Sequence, residues 1–276
     1  MKHIFIINPT AGKQDSRQRI YDMAKELREK HELDVQCILT KKQGHATEIA
    51  RRLCEEGGEL RFYACGGDGT ANEVANGILG FDNAAMTMVP VGMGNDLLKN
   101  FGDDLEKFRD VENLWDGPVF PMDVIEVNGR YALTIACSGI DARVAADVHK
   151  YSESPLLDGK SSYIVSLLVN FLFKGIGSHW KVEMDGEEME GDWSLVSVCN
   201  GRYYGGGFMP VAEARMDDGV LNTLVVQKVT RRAFIRFVGP YSKGEYYKFP
   251  HLAQCYTPKV VRITSEKPDI VTCLDG

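Results

Sequence analysis

A glycine-rich segment in the first third of the chain has the residue types that bind phosphate. Residues 65–73 read Cys-Gly-Gly-Asp-Gly-Thr-Ala-Asn-Glu, directly after an apolar run that predicts a strand and directly before a predicted helix. Glycines let the backbone approach a ligand closely, and free amides at a helix N-terminus favour an anion. Asp68 would repel a phosphate unless Mg²⁺ or a substrate hydroxyl lay between them, so the segment indicates phosphoryl transfer. A glycine-rich turn capped by Asp68 would account for the same residues.

Three further polar segments follow predicted strands. Asn8-Pro9-Thr10-Ala11-Gly12 comes after the first strand, Thr40 after the second, and Gly92-Met93-Gly94-Asn95-Asp96 after the fourth. Ligands of open α/β folds bind outside the carboxyl ends of the parallel strands. Each segment taken singly is typical of a turn, but the group of four predicts one ligand site along a single sheet edge.

The elements that must position these residues alternate between two periodicities. Short apolar runs predict strands, and apolar residues spaced three or four apart predict helices. The predicted strands cover residues 3–8, 35–40, 60–65 and 86–91, and the predicted helices include Ile20–Leu27, Ala46–Leu53 and Glu73–Ile78. Repeated strand–helix units of this length predict a three-layer α/β domain with a parallel sheet covered on both faces.

The pattern changes after Pro118. Two apolar runs that predict strands, Met122–Val127 and Tyr131–Cys137, flank Asn128-Gly129, a pair that tolerates the positive φ angles of a tight hairpin turn. Further strands are predicted at 182–184, 189–198 and 220–227, and helices at 139–149, 161–173 and 231–242. Hairpins predict a mainly antiparallel β-sandwich. We therefore predict an α/β domain at residues 1–122 and a β-sandwich domain at residues 123–276.

The composition excludes other classes of protein. The 276 residues carry a net charge of −7, without the basic footprint of a nucleic-acid binder. The seven cysteines include no C-x-x-C pair, and the first residues lack the layout of a signal peptide, which predicts reduced thiols in the cytoplasm. The longest apolar stretch, Tyr163–Phe173, is too short to cross a bilayer, so no transmembrane segment is expected.

Taken together, the motifs resemble those of the diacylglycerol kinase catalytic-domain family of bacterial lipid kinases. The N-terminal half contains Asn-Pro-x-x-Gly, Gly-Gly-Asp-Gly-Thr and Gly-x-Gly-Asn-Asp in that family's order. The C-terminal half continues the series with Asn200-Gly201-Arg202, Asp217-Asp218-Gly219 and Asp275-Gly276. The glycine motif alone marks a wider superfamily that includes NAD kinases and phosphofructokinases, whereas the full series is more specific.

The resemblance implies that Mg²⁺ and ATP are the cofactors. The implied nucleotide contacts are Asn8, Gly12, Thr40, Gly66, Gly67, Asp68, Gly69, Thr70, Ala71, Asn72, Gly92, Met93, Asn95 and Asp96. Asp68 would engage the metal or the acceptor hydroxyl, and Asp275 would be the general base. A structural Mg²⁺ would be held by the Asp218 side chain with the carbonyls of Arg215 and Val220, although a solvated Asp-Gly turn explains that segment without metal.

The implied reaction is transfer of the γ-phosphate of ATP to the hydroxyl of diacylglycerol or a related lipid alcohol. Such an enzyme would contact the membrane surface peripherally, through the predicted helix 161–173 or through residues 231–237, and a homodimer is possible. Two alternatives remain open: an NAD kinase-like phosphotransferase and a nucleotide-binding protein without catalysis. The second is motivated by Met93, where the family usually has Thr, and by the family's Glu, which would follow Gly276.

Overall fold

The computed structural model describes residues 1–12, 14–92, 94–144, 177–268 and 270–275. The chain divides into two compact units, Met1–Pro121 and Met122–Gly276. The predicted helix 161–173 lies outside the described residues, as do residues 145–149 of the predicted helix 139–149; residues 140–144 are helical. All seven cysteines carry free thiols.

The first unit is built on a four-stranded parallel sheet. Its strands are β1 (Lys2–Ile7), β2 (Asp34–Leu39), β3 (Leu60–Gly66) and β4 (Ala84–Pro90), in the order β2-β1-β3-β4. Ile7 lies beside both Leu39 and Cys65, so the strands end level with one another. Every residue of β3 is buried, as expected for an inner strand covered on both faces. The predicted α/β domain is confirmed, with each strand within two residues of its expected position.

Helices follow each of the first three strands. They are α1 (Arg17–His31), α2 (His45–Glu56) and α3 (Asp68–Ile78), and a short α4 (Asp96–Lys99) follows β4 before 3-10 turns at Gly102–Arg109 and Val111–Asn113. Helix α1 packs on one face of the sheet through Ile20, Ala24 and Leu27. Helix α3 starts five residues earlier than expected, because Gly67 leaves the strand in an extended conformation and Asp68 already belongs to the first helical turn.

The second unit contains antiparallel strands. They are β5 (Ile125–Val127), β6 (Arg130–Ala132), β7 (Ile135–Gly139), β8 (Ser178–Met184), β9 (Glu187–Cys199), β10 (Asn222–Gln227), β11 (Ala253–Tyr256), β12 (Val261–Thr264) and β13 (Thr272–Leu274). Strands β5 and β6 form a hairpin whose turn residues, Asn128 and Gly129, have positive φ angles as predicted. The main sheet has the order β11-β10-β9-β7-β13, with β8 joining β9 to β12. The mainly antiparallel β domain is therefore confirmed.

One strand prediction in this unit is wrong. The apolar run Tyr131–Cys137, expected to form a single strand, is divided between β6 and β7 at Leu133 and Thr134. The division has a physical cause: the backbone amides of these two residues donate to the Asp275 side chain instead of to a neighbouring strand. The helix expected at 231–242 is present as α5 (Arg231–Tyr241), with a 3-10 turn at Tyr246–Lys248 beside it.

A buried carboxyl group lies in the core of the second unit. The hydroxyls of Tyr204 and Tyr241 donate to Asp141 Oδ2 at 2.5 and 2.7 Å, and the two tyrosine oxygens are 2.8 Å apart. Burial raises the pKa of Asp141 above its usual range and outweighs the two hydrogen bonds, which act in the opposite direction. The native state therefore retains a proton that the unfolded chain releases near pH 4.

This proton makes the stability of the second unit depend on pH. Because the native state binds more protons than the unfolded state above about pH 4, the free energy of unfolding falls as the pH rises, until Asp141 itself ionises. Asp141→Asn keeps an acceptor for the tyrosines but cannot titrate, so we expect the variant to gain stability relative to the wild type between pH 4 and neutrality. Urea denaturation at a series of pH values measures this difference, and a constant difference would contradict the prediction.

Candidate functional site

The glycine loop after β3 is hydrogen-bonded to the loop after β4 at the sheet edge. The carbonyl of Gly66 accepts hydrogen bonds from the amides of Val91 and Gly92 at 3.0 and 3.1 Å. Gly67 is the N-cap of α3 and has no side chain with which to cap the helix, so the positive end of the helix dipole faces the loop. Gly69, Thr70, Ala71 and Asn72 lie in its first turns. This is the arrangement that binds an anion such as phosphate.

The glycine loops after β3 and β4 contact each other through their backbones. A Cβ added to Gly92 would lie 2.5 Å from the Cα of Gly67, closer than real Cβ atoms approach. A side chain at Gly92 would therefore force the loops apart. Met93, the next residue of the second loop, lies outside the described residues.

Asp68 links the loop after β3 to the residues that follow β4. Its Oδ1 accepts a hydrogen bond from the Leu97 amide at 2.9 Å, in the first turn of α4, and a Cβ added to Gly94 would lie 3.1 Å from its Oδ2. Asp96 is almost fully buried and pairs with Lys99 at 2.5 Å. The carboxylate of Asp68 is thus held between the N-terminus of α3 and the loop after β4.

Asn95 is a second polar residue of this loop. Its φ angle of 49° is in the left-handed region, which asparagine tolerates better than most residues. The side-chain amide donates to the Gly92 carbonyl at 2.8 Å. The other amide atom, Oδ1, is buried and has no hydrogen-bond partner among the described residues. A buried acceptor without a partner is what a ligand hydroxyl or amino group would satisfy.

The loop after β1 joins the same edge. The side-chain amide of Asn8 donates to Thr70 Oγ1 at 3.3 Å, and its Oδ1 accepts from the amide and the hydroxyl of Thr10. Gly12 has a φ of 79°, and a Cβ there would lie 2.5 Å from the Val91 carbonyl oxygen. The Thr40 amide donates to the Ile7 carbonyl at 2.9 Å. The predicted residues of the first unit that the structure describes therefore lie along one edge, as expected.

Glu73 has a role that the sequence analysis did not assign. Its two carboxylate oxygens accept hydrogen bonds from the amides of Gly44 and Ala46, at the start of α2. Its backbone carbonyl accepts from the Thr47 hydroxyl at 2.7 Å. The side chain thereby stabilises the N-terminus of α2 beside α3. Its place in the Asn-Glu pair after the glycine motif was visible in the sequence, but the partner 29 residues away was not.

In the second unit, Asp275 is bound to the turn between β6 and β7. Its Oδ1 accepts from the Thr134 amide and hydroxyl, both at 2.8 Å, and from the Ile135 amide at 3.1 Å. Its Oδ2 accepts from the Leu133 amide at 2.7 Å. The Asp275 amide also donates to the Ile135 carbonyl. These contacts make Asp275 an anchor of this turn, and its predicted role as general base stays a prediction.

Asn200 binds the other side of the same turn. Its side-chain amide donates to the carbonyls of Leu133 and Asp123, each at 2.7 Å. Its backbone amide donates to the Thr134 carbonyl at 2.8 Å. Asn200 is completely buried, and its Oδ1 has no hydrogen-bond partner among the described residues. The Asn-Gly-Arg motif is therefore linked to the residues that hold Asp275.

Asp123 extends this network to the Asp-Asp-Gly segment, and the sequence analysis did not single it out. Its Oδ2 accepts from the Gly219 amide at 2.7 Å, and its amide donates to the Met216 carbonyl at 2.8 Å. Asp123 lies in the run 122–127 that predicts a strand, and the apolar pattern of that run does not mark it as a functional residue. The three C-terminal motifs, Asn200, Gly219 and Asp275, thus belong to one hydrogen-bond network.

The predicted structural Mg²⁺ site lies in the exposed Asp-Asp-Gly loop. Asp218 Oδ1 accepts from the Val220 amide at 3.0 Å, and Arg215 pairs with Asp217 at 3.1 Å. Among the described residues, no group of three His, Cys, Asp or Glu side chains could hold a metal ion. A site of one carboxylate and two carbonyls consists entirely of oxygen donors, which is the chemistry that Mg²⁺ prefers. The alternative interpretation of this segment was an Asp-Gly turn without metal. The hydrogen bond from the Val220 amide to Asp218 is consistent with such a turn.

The fold defines a class of two-domain proteins, in which a parallel α/β unit is followed by an antiparallel β unit. Residues 2–127 match the family model of the diacylglycerol kinase catalytic domain. Residues 134–276 match that of the YegS C-terminal NAD kinase beta sandwich-like domain. The chain belongs to the diacylglycerol kinase and YegS-like family of lipid kinases, which confirms the resemblance found in the sequence.

Individual relatives match along nearly the whole chain. The diacylglycerol kinase of Bacillus subtilis (strain 168) is 27% identical over 275 residues, which are 98% of this chain and 88% of that protein. The diacylglycerol kinase of Staphylococcus carnosus (strain TM300) is 26% identical over 246 residues, covering 89% and 79% of the two chains. A crystal structure of a diacylglycerol kinase from Bacillus anthracis str. Sterne is similar with a TM-score of 0.74 and 25% identity, covering 100% of this chain and 89% of that one.

Proposed function

We propose that this chain is an ATP-dependent lipid kinase that transfers the γ-phosphate of Mg-ATP to the hydroxyl of diacylglycerol or a related lipid alcohol. The observation that carries the proposal is the placement of Asp68. Its carboxylate lies at the N-terminus of α3, next to the glycine loop, and is hydrogen-bonded to the Leu97 amide. A carboxylate at a phosphate-binding helix needs a cation or a hydroxyl as its counterpart, and a phosphate-transfer reaction supplies both.

In this proposal, some residues of the first unit bind the nucleotide and others act in catalysis. The amides at the start of α3 and the loops at Asn8–Gly12 and Gly92–Asp96 bind the nucleotide phosphates. Asp68 would hold the Mg²⁺ that accompanies ATP or would orient the acceptor hydroxyl. When bound, Mg²⁺ neutralises the phosphate charge that develops during transfer. Positioning and charge neutralisation account for most of the rate increase in reactions of this kind.

The C-terminal motifs of the second unit contribute to the same proposed reaction. Asn200 and Asp275 both bind the turn at residues 133–135, and Asn200 also binds the Asp123 carbonyl. In the proposal, Asp275 or a residue positioned by its turn accepts the proton of the lipid hydroxyl as this hydroxyl attacks the γ-phosphate. Asp218, with the carbonyls of Arg215 and Val220, is the proposed structural Mg²⁺ site.

The decisive experiment measures transfer of labelled γ-phosphate from Mg-ATP to a panel of lipid alcohols in mixed micelles, with NAD as a separate acceptor. Transfer to one lipid and none to NAD supports the proposal and identifies the acceptor. Phosphorylation of NAD but of no lipid would indicate an NAD kinase-like enzyme. Saturable ATP binding without transfer to any acceptor would indicate a nucleotide-binding protein. Omitting Mg²⁺ is expected to abolish transfer in the first case.

A further inference from the structure

Two cysteines of the second unit lie directly opposite each other on neighbouring strands. Cys137 belongs to β7 and Cys273 to β13, and the antiparallel register pairs the two residues. Both side chains belong to one core cluster, in which Cys137 is buried and Cys273 is partly buried and packed against it. The two thiols are hydrogen-bonded to each other. Two thiols in contact across a ladder can form a disulfide without rearrangement of the strands.

The backbone spacing at this pair suits a disulfide. The Asp275 amide donates to the Ile135 carbonyl at 3.0 Å, so these two residues form a hydrogen-bonded pair of the ladder. Because hydrogen-bonded and non-hydrogen-bonded pairs alternate, Cys273 and Cys137 are again a hydrogen-bonded pair, whose Cα atoms are about 5.5 Å apart. Disulfides join residues whose Cα atoms are about 4.4–6.8 Å apart. The two sulfurs can therefore bond while the ladder is kept.

No other two of the seven cysteines, all of which lie in the described part of the chain, face each other across neighbouring strands. Cys37 and Cys65 lie on β2 and β3 with β1 between them, and Cys199 and Cys255 lie on β9 and β11 with β10 between them. Strands two apart are separated by about 9.5 Å, which is too far for a disulfide. Cys199 is diagonal to Cys137 on β9, and such residues are about 7–8 Å apart.

The two thiols of the pair differ in access and in proton affinity. Cys137 is 3% exposed, whereas Cys273 is partly exposed. The hydrogen bond to Cys273 and burial raise the pKa of the Cys137 thiol, so Cys137 keeps its proton and donates it to the other sulfur. A donated hydrogen bond stabilises negative charge on the Cys273 sulfur, and the thiolate is the reactive form of cysteine. An oxidant therefore reacts first with Cys273, and Cys137 attacks second.

We propose that Cys137 and Cys273 are a redox modification site, at which a hydroperoxide oxidises the two thiols to a reversible disulfide. The Cys273 thiolate attacks one oxygen of hydrogen peroxide, the O–O bond breaks, and the departing hydroxide takes up the proton that the thiol released. This step leaves a sulfenic acid on Cys273. The Cys137 sulfur then attacks the Cys273 sulfur, and the hydroxyl group leaves with the Cys137 proton as water. Two thiols and one hydrogen peroxide thus give one disulfide and two waters, and two electrons pass from the sulfurs to the peroxide.

The geometry of the pair makes the bond reversible. The Cβ atoms of residues directly opposite each other are about 4.5–5.5 Å apart, whereas those of a disulfide are about 3.5–4.5 Å apart. Closing this difference strains the bond, and strained disulfides are reduced more readily than relaxed ones. A dithiol reductant restores both thiols by exchange, since its own two sulfurs become the new disulfide.

The disulfide fixes the C-terminal strand on the sheet. Strand β13 has three residues and lies at the edge of the main sheet. The hydrogen bond between the Ser138 and Thr272 hydroxyls and the contacts of Asp275 hold it beside β7. A covalent bond at Cys273, two residues before Asp275, makes this attachment permanent until the bond is reduced. The site therefore couples the oxidation state of the thiols to the attachment of Asp275.

The test treats the reduced full chain with a small molar excess of hydrogen peroxide and then alkylates the remaining thiols in denaturant. We expect two of the seven thiols to be lost and the mass of the unalkylated chain to fall by two hydrogens. Tryptic digestion should link peptides 131–143 and 263–276, each of which contains one cysteine. Dithiothreitol should restore both thiols. Because the bond joins residues 136 positions apart, the Tm of the oxidised chain should exceed that of the reduced chain by about 5–10 °C.

Cys273→Ser and Cys255→Ser are the matched variants. Both replace a partly exposed cysteine of a β-strand in the same sheet with serine. We expect Cys273→Ser to keep all its remaining thiols after peroxide and to melt at the same temperature with or without oxidation. Cys255→Ser should form the disulfide and gain the same increase in Tm as the wild type. Circular dichroism of the reduced variants checks that both are folded.

Three results would overturn the inference. They are seven free thiols in the folded wild type after peroxide, a disulfide that links other peptides, and a Cys273 oxidised to sulfenic or sulfinic acid with Cys137 still free. A link between two chains, seen as a dimer on a non-reducing gel, would overturn it as well. Thiol counts, linked peptides and melting are independent of phosphate transfer, so the inference is tested separately from the proposed function.

Discussion

Asp68→Ala is expected to lower the rate of phosphate transfer by at least about 10³-fold, with the protein still folded. Asp68 is the only carboxylate that the sequence places inside the glycine motif, and its Oδ1 holds the first turn of α4 through the Leu97 amide. The substitution removes both the charge that would engage Mg²⁺ or the acceptor hydroxyl and the hydrogen bond that fixes the Gly92–Asp96 loop. Loss of a helix-capping acceptor costs about 1 kcal/mol, too little to unfold the unit.

Asp68→Asn separates these two contributions. Asparagine retains an oxygen that can accept from the Leu97 amide but carries no charge. If the charge is what catalysis requires, this variant is as inactive as Asp68→Ala while its stability, measured by urea denaturation, matches the wild type. If loop position is what matters, the asparagine variant recovers most of the activity. Full activity of a folded Asp68→Ala variant would contradict the assignment of Asp68 altogether.

Asp275→Ala has the second large expected effect, a loss of about 2–4 kcal/mol in the stability of the second unit. The substitution leaves the amides of Leu133, Thr134 and Ile135 without their acceptor, and hydrogen bonds to charged groups contribute about 1.5–3 kcal/mol each without being additive. Asn200 binds the same turn. We therefore expect the substitution to displace the Asn-Gly-Arg and Asp-Asp-Gly segments as well and to lower the rate of phosphate transfer.

The control for this prediction is Thr134→Val, which removes the hydroxyl donor at 2.8 Å and keeps all three amides bound. We expect a loss of about 1 kcal/mol and nearly full activity. The midpoint of urea unfolding and kcat should be measured on the same preparations. An Asp275→Ala variant with unchanged stability and no activity would refute the anchoring role and favour the predicted general base.

Local sequence determined the elements of the first unit and the edge at which its site lies. Short, largely apolar runs such as 60–65 predict buried strands, and polar residues directly after parallel strands lie at the carboxyl edge of the sheet. The turn at Asn128-Gly129 was equally predictable, because the positive φ angles it needs favour these residue types. Each of these features depends on neighbours within a few residues, which a sequence displays directly.

The tertiary structure decided which distant groups meet. Asp275 binds amides 140 to 142 residues earlier in the chain, Asn200 joins Asp123 to Leu133, and the Asp141 carboxyl is buried under two tyrosine hydroxyls. No periodicity encodes such partners, because they follow from strand register and from the order of strands in the sheet. The same packing buries one face of α5 and leaves the arginines of the other exposed. The sequence by itself shows the basic residues of this helix, but only the fold decides which of them reach solvent.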